Sequence, residues 1–77
     1  MHSADKLVLM VNQIVRNLAI QGDEKAVALA ADHMHKYWEP RMRTAIRKHV
    51  QSGAKGLSPL AVSAVQQLEN LQTVESG

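Results

Sequence analysis

Apolar residues recur at three- and four-residue intervals through most of the chain, and each recurrence stops at a glycine or a proline. Leu7, Met10, Val11, Ile14 and Leu18 fall on one stripe of a helix ending near Ile20, with Ser3 as its cap and Asp5 suited to its first turn. Gly22 reads as the stop, and Asp23 as the cap of the next helix. That second helix, about Glu24 to Trp38, carries Val27, Ala30, Ala31, Met34 and Trp38 on one side, where the alanines let a neighbour approach closely. Pro40 ends it and opens a third, because proline pushes Glu39 out of the α region yet fits a first helical turn. Glu39 is then expected to bring its carboxylate near the N-terminus of the third helix. Met42, Ile46 and Val50 point inward, and Gly53 and Gly56 close that helix. Ser58-Pro59 repeats the cap-then-proline start, and Leu60, Ala61, Ala64, Val65, Leu68 and Leu71 form a stripe to about Gln72. Residues 73–77 are expected to fray.

No period-two run suggests a strand, so the expectation is an all-α fold, a small bundle of about four short helices in a single domain over residues 1–77. A chain of 77 residues supplies a thin core for four helices, and such a bundle gains stability by docking onto something larger. The longest apolar runs, such as Leu7 to Val11 and Ala26 to Ala31, are far below the roughly 18 residues of a bilayer crossing. The opening Met1-His2-Ser3-Ala4-Asp5-Lys6 lacks the features of a secretory signal, so the expected address is the cytoplasm, with no membrane association.

Charge changes the picture more than composition does. The net charge is +2, but the segment from His33 to Lys55 holds Lys36, Arg41, Arg43, Arg47, Lys48 and Lys55 against Glu39 alone, which makes it +5 and leaves the remainder at −3. Arg43 and Arg47 are four apart and Arg41 and Lys48 seven apart, placing cations on two adjoining rows of the third helix. Like-charge neighbours of this kind cost a few tenths of a kcal/mol, which solvent tolerates or a partner's carboxylates or phosphates offset. Arginine outnumbers lysine three to two between Lys36 and Lys48, and its bidentate fork suits protein carboxylates. Beside these cations, Tyr37, Trp38 and Met42 have the character of an interface anchor, while a lone tryptophan in an aromatic-poor bundle has an equally direct use as a core plug.

Catalytic chemistry finds no foothold. With no cysteine in the chain, disulfides, cysteine-ligated clusters and thiol nucleophiles are excluded. His33 and His35 are two apart, roughly 200° around a helix, so they do not chelate one ion from one face. Gly53 and Gly56 lack the flanking strand and the Lys-Ser/Thr of a phosphate loop. Ser58 is explained as a cap, and no serine has a readable base beside it. No catalytic, cofactor-binding or metal-binding residue is assigned.

Several stretches together resemble a known family. They are Val11-Asn12-Gln13-Ile14, Gly22-Asp23, the run from Ala31 through Asp32-His33-Met34-His35-Lys36-Tyr37-Trp38-Glu39-Pro40-Arg41-Met42 to Arg43, and Gly56-Leu57-Ser58-Pro59-Leu60. This pattern, spanning about Leu7 to Leu68, is similar to the delta subunits of cytoplasmic NAD-dependent formate dehydrogenases. His33 to Arg43 is its most specific element. Departures lie at Asn17, Leu18 and Ala19, where that family often has aromatics, and at Tyr37, where it often has phenylalanine. The resemblance implies a non-catalytic accessory subunit that assists assembly, cofactor loading or stability of a catalytic alpha subunit. That partner complex would carry a molybdenum or tungsten pterin, iron–sulfur clusters and flavin. Tyr37, Trp38, Glu39, Pro40, Arg41, Met42, Arg43 and Arg47 are then the expected partner-binding residues. Two other readings stay open: a small basic module binding nucleic acid through the third helix, and a ligand-free homodimeric bundle formed by the isolated chain.

Overall fold

The computed structural model describes residues 4–76, with side chains through residue 71. Helix α1 spans Ala4–Leu18 and tightens into a single 3-10 turn, Ala19–Gln21; α2 spans Asp23–Tyr37, α3 Pro40–Gln51 and α4 Pro59–Ser76. Among the described residues all regular structure is helical, in the four helices that the periodicity predicts. The bundle measures 30 × 30 × 21 Å.

The helix ends depart from expectation in instructive ways. The last turn before Gly22 is drawn tight by the Gly22 N–H donating to Ala19 O at 3.0 Å, so α1 stops at Leu18, short of Ile20. Gly22 adopts φ +103°, a conformation that favours glycine, and itself occupies the cap position of α2. Its carbonyl accepts the Ala26 N–H at 2.9 Å. Asp23, expected as the cap, is instead the first residue of α2, where it and Glu24 suit the positive end of the helix dipole. The expected Ser3 cap lies outside the described residues. Helix α4 continues past Gln72 to Ser76, beyond the expected end, and Gly77 lies outside the described residues.

The core is built from one face of every helix. Leu7, Val8, Val11 and Val15 come from α1, Ala30, Ala31 and Met34 from α2 with Trp38 just after it, Ile46 from α3, and Ala61, Ala64, Val65 and Leu68 from α4. On α1 the buried stripe is rotated from the expected one. Val8 and Val15 are buried, whereas Met10, Ile14 and Leu18 flank the core half-buried, because α2, α3 and α4 all pack on this helix and widen the covered arc. Helices α2 and α4 make the most extensive pairing, consistent with the alanines that both contribute to the core.

The loop from α3 to α4 is tied down by polar groups. The Asn12 side chain on α1 donates from Nδ2 to Gly56 O at 2.9 Å and accepts the Ser58 N–H on Oδ1 at 2.9 Å. His49 Nε2 donates to Lys55 O at 2.7 Å. The Ser58 hydroxyl accepts the Ala61 N–H at 3.2 Å, the cap that the Ser-Pro start predicts. The loop runs so close to α1 that a Cβ on Gly56, which has φ +85°, would meet Val8 Cγ1 at 3.3 Å.

Replacing Asn12 by Ala deletes both loop contacts. At ~0.5–1.5 kcal/mol per hydrogen bond, Asn12→Ala is expected to cost about 2 kcal/mol and lower the melting midpoint by roughly 10 °C. Thermal unfolding followed by far-UV circular dichroism checks it, and an unchanged midpoint would mean that the loop is held by other means.

Candidate functional site

The corner between α2 and α3 is made by two extended residues. Trp38 has φ −87°, ψ 142° and Glu39 has φ −67°, ψ 153°, the conformation that Pro40 imposes on its predecessor. The Trp38 N–H donates to Met34 O at 3.0 Å, and Glu39 O accepts the Arg43 N–H at 3.1 Å, so each helix closes its own backbone bonds across the corner. The Glu39 side chain makes no capping hydrogen bond to α3 and stays exposed, so the expected placement of its carboxylate at that N-terminus yields no direct contact.

Helices α2 and α3 scarcely pack on each other along their lengths. What joins them is Arg43. Its Nη1 donates to His35 O and to Trp38 O, both at 2.9 Å, so a cation from the first half of α3 satisfies carbonyls at the C-terminal end of α2. The Arg43 Nε is buried without a partner of its own among the described residues. Trp38 is 5% exposed and belongs to the core, so the plug reading describes it in this chain. Met42 is half-buried against the same core.

The two rows of cations on α3 therefore have opposite fates. Arg43 faces α2, and Arg47 Nη2 approaches Glu69 Oε1 on α4 at 3.6 Å, where Gln51 Nε2 also donates to that oxygen at 3.5 Å. Arg41 and Lys48 are exposed, and their side chains have no ion-pair or hydrogen-bond partner among the described residues. With Pro40, Thr44 and Ala45 they line an open hollow of about 430 Å³ on the outer face of α3. The expected site omits Lys48 and Thr44, although their spacing from Arg41 is legible in the sequence.

On the α2 side of the corner Tyr37 is 73% exposed, with its ring centroid 5.0 Å from that of His33. It borders an open groove of about 390 Å³ between α1 and α2, with Ile14, Leu18 and Leu29 on the apolar side. Lys36 and Asp32, 3.1 Å apart, edge that groove as an exposed ion pair. Of the expected set, then, Tyr37, Glu39, Pro40 and Arg41 are accessible, Trp38, Met42 and Arg43 hold the corner from within, and half-buried Arg47 turns to Glu69 on α4. Asn12 escaped sequence reasoning as a functional side chain. Its signals in the sequence were a polar residue beside apolar Val11 and its place in the Val11-Asn12-Gln13-Ile14 stretch.

Among the described residues no group of three or more His, Cys, Asp or Glu is placed to hold a metal ion, and no helix is long and apolar enough to cross a membrane. The Ser52 and Ser58 hydroxyls are engaged with helix-end backbone groups.

Comparison with known families finds a match to the family described as "NADH-dependant formate dehydrogenase delta subunit FdsD" over residues 6–65. The chain belongs to this delta-subunit family. The matched span takes in Asn12, the whole α2–α3 corner and the Ser58-Pro59 start of α4. No curated protein and no solved structure matches the chain. As a formate dehydrogenase delta subunit it is a component that associates with other subunits of that complex.

The role of Arg43 as a brace is open to direct measurement. Each hydrogen bond from a charged donor contributes ~1.5–3 kcal/mol when well ordered, and Arg43 is half-buried, so Arg43→Ala is expected to cost about 3 kcal/mol. Arg43→Lys should fall between Ala and wild type, since a shorter ammonium reaches the two carbonyls less well. Denaturant titration of the three proteins supplies the values, and equal stability of all three would remove the brace.

Proposed function

We propose that this chain is a non-catalytic accessory subunit that docks on the catalytic alpha subunit of an NAD-dependent formate dehydrogenase and assists its assembly, cofactor loading or stability. The observation that carries this reading is a corner held rigid from within by Trp38 and Arg43, presenting Tyr37, Glu39, Pro40 and Arg41 to the outside. Membership of the delta-subunit family supplies the partner complex. Trp38, Met42, Arg43 and Arg47 act in it as the supports that shape the docking surface.

The electron-transfer chemistry belongs to the other subunits. A molybdenum or tungsten pterin, iron–sulfur clusters and flavin reside there, and this chain has no cysteine with which to ligate a cluster. The complex works in the cytoplasm, where the NADH pool lies. A small bundle with a thin core gains stability on docking, and by the same linkage it stabilises the folded alpha subunit while that subunit receives its cofactors.

The test is co-expression of tagged alpha subunit with and without this chain. The chain is expected to co-purify, and alpha subunit made without it should carry several-fold less metal and pterin per polypeptide, with formate oxidation falling in proportion. The purified chain alone should not oxidise formate. Turnover by the isolated chain, or fully loaded alpha subunit that never retains it, would sink the reading.

A further inference from the structure

Helix α3 carries Arg41, Arg43, Arg47 and Lys48 and no acidic residue between Pro40 and Gln51. Two of these cations are used inside the chain, by the α2 carbonyls and by Glu69. The other two contribute nothing visible to the fold. Arg41 lies in the first turn of α3, where the helix dipole disfavours a cation, and neither it nor Lys48 meets an anion among the described residues. Seven residues separate them, which at 1.5 Å per residue is two turns, or about 10 Å, along one row of the helix. Between them stand only short side chains, Thr44 and Ala45, so the two cations flank a hollow of about 430 Å³.

We propose, resting on the docking role above, that this outer face of α3 seats an acidic helical segment of the alpha subunit. Two carboxylates on that segment, two turns apart, meet Arg41 and Lys48, and its backbone lies over Thr44 and Ala45. Charge complementarity selects this occupant. The site holds two available cations, a number that matches a pair of carboxylates. A duplex-binding surface typically recruits some 6–10 phosphate contacts, and here Arg43 and Arg47 are committed internally while Lys36 is paired with Asp32. The arginine fork gives one carboxylate a bidentate partner and so sets the register, and the lysine supplies a point charge at the far end.

The experiment measures retention of the full-length chain on co-expressed, tagged alpha subunit. Arg41→Glu/Lys48→Glu should weaken retention by roughly 100-fold, the scale of losing two interfacial charge pairs. The control Arg16→Glu/Lys25→Glu, which changes net charge identically at exposed positions on α1 and α2, should stay within about threefold of wild type because it affects only long-range steering. Thr44→Trp fills the hollow without touching charge and should also weaken retention at least tenfold. Circular dichroism confirms that each variant folds. If wild type is retained but the Arg41/Lys48 reversal binds as well, or Thr44→Trp is harmless, this inference falls and the accessory role survives. Wild type that is not retained at all would overturn the accessory role and this inference with it. Tight duplex-DNA or RNA binding that needs Arg41 and Lys48 and collapses with salt would assign the face to nucleic acid instead.

Discussion

The guanidinium of Arg43 is the contact on which the shape of this protein turns. A helix that ends at a sharp corner leaves its last carbonyls without partners, and Pro40 prevents α2 from continuing to supply them. Arg43 reaches back from α3 to His35 O and Trp38 O and resolves that deficit with one charged donor. Since α2 and α3 have little other packing in common, the angle between them rests on this bridge, on what lies beneath it and on the packing of both helices against α1 and α4. Beneath it is Trp38, whose extended backbone turns the indole into the core at the moment the chain changes direction.

A second polar tie does for the other end of α3 what Arg43 does for its start. Asn12 takes one carbonyl and one N–H from the loop that leads into α4, and Gly56 lets that loop lie against Val8. In a chain this small, apolar burial alone leaves little surplus over conformational entropy, so these two polar contacts reinforce at both ends the packing of α3 on α1 and α4. The α2–α4 pairing, rich in alanine, forms the body to which α3 is thereby fixed.

This division of labour bears on function. The cations of α3 lie within one short helix, yet one row is consumed in holding the bundle together and the other is left facing outward over a hollow. The docking role proposed above draws on both: a corner stiff enough not to lose its shape on binding, and charge that the chain itself leaves unneutralised. Stiffness matters because ordering a loose surface at the moment of docking would consume part of the interaction energy.

Periodicity, capping residues and the two prolines were enough to determine four helices, their order and most of their inward faces, since helix formation and amphipathic burial depend on neighbours three and four residues away. Four stretches taken together, with the His33–Arg43 run as the most specific, also pointed to the delta-subunit family that residues 6–65 match. Local signals could not say that Gly22 rather than Asp23 caps α2, because that depends on a positive φ set by the preceding 3-10 turn. Nor could they rotate the α1 stripe onto Val8 and Val15, which follows from the number of helices packed around α1. Least of all could they sort Arg43 and Arg47 from Arg41 and Lys48, or set Asn12 against a loop more than forty residues away. Those assignments belong to the tertiary structure, because a charge or an amide acquires its role from whichever carbonyl, carboxylate or open water the folded backbone brings within about 3 Å of it.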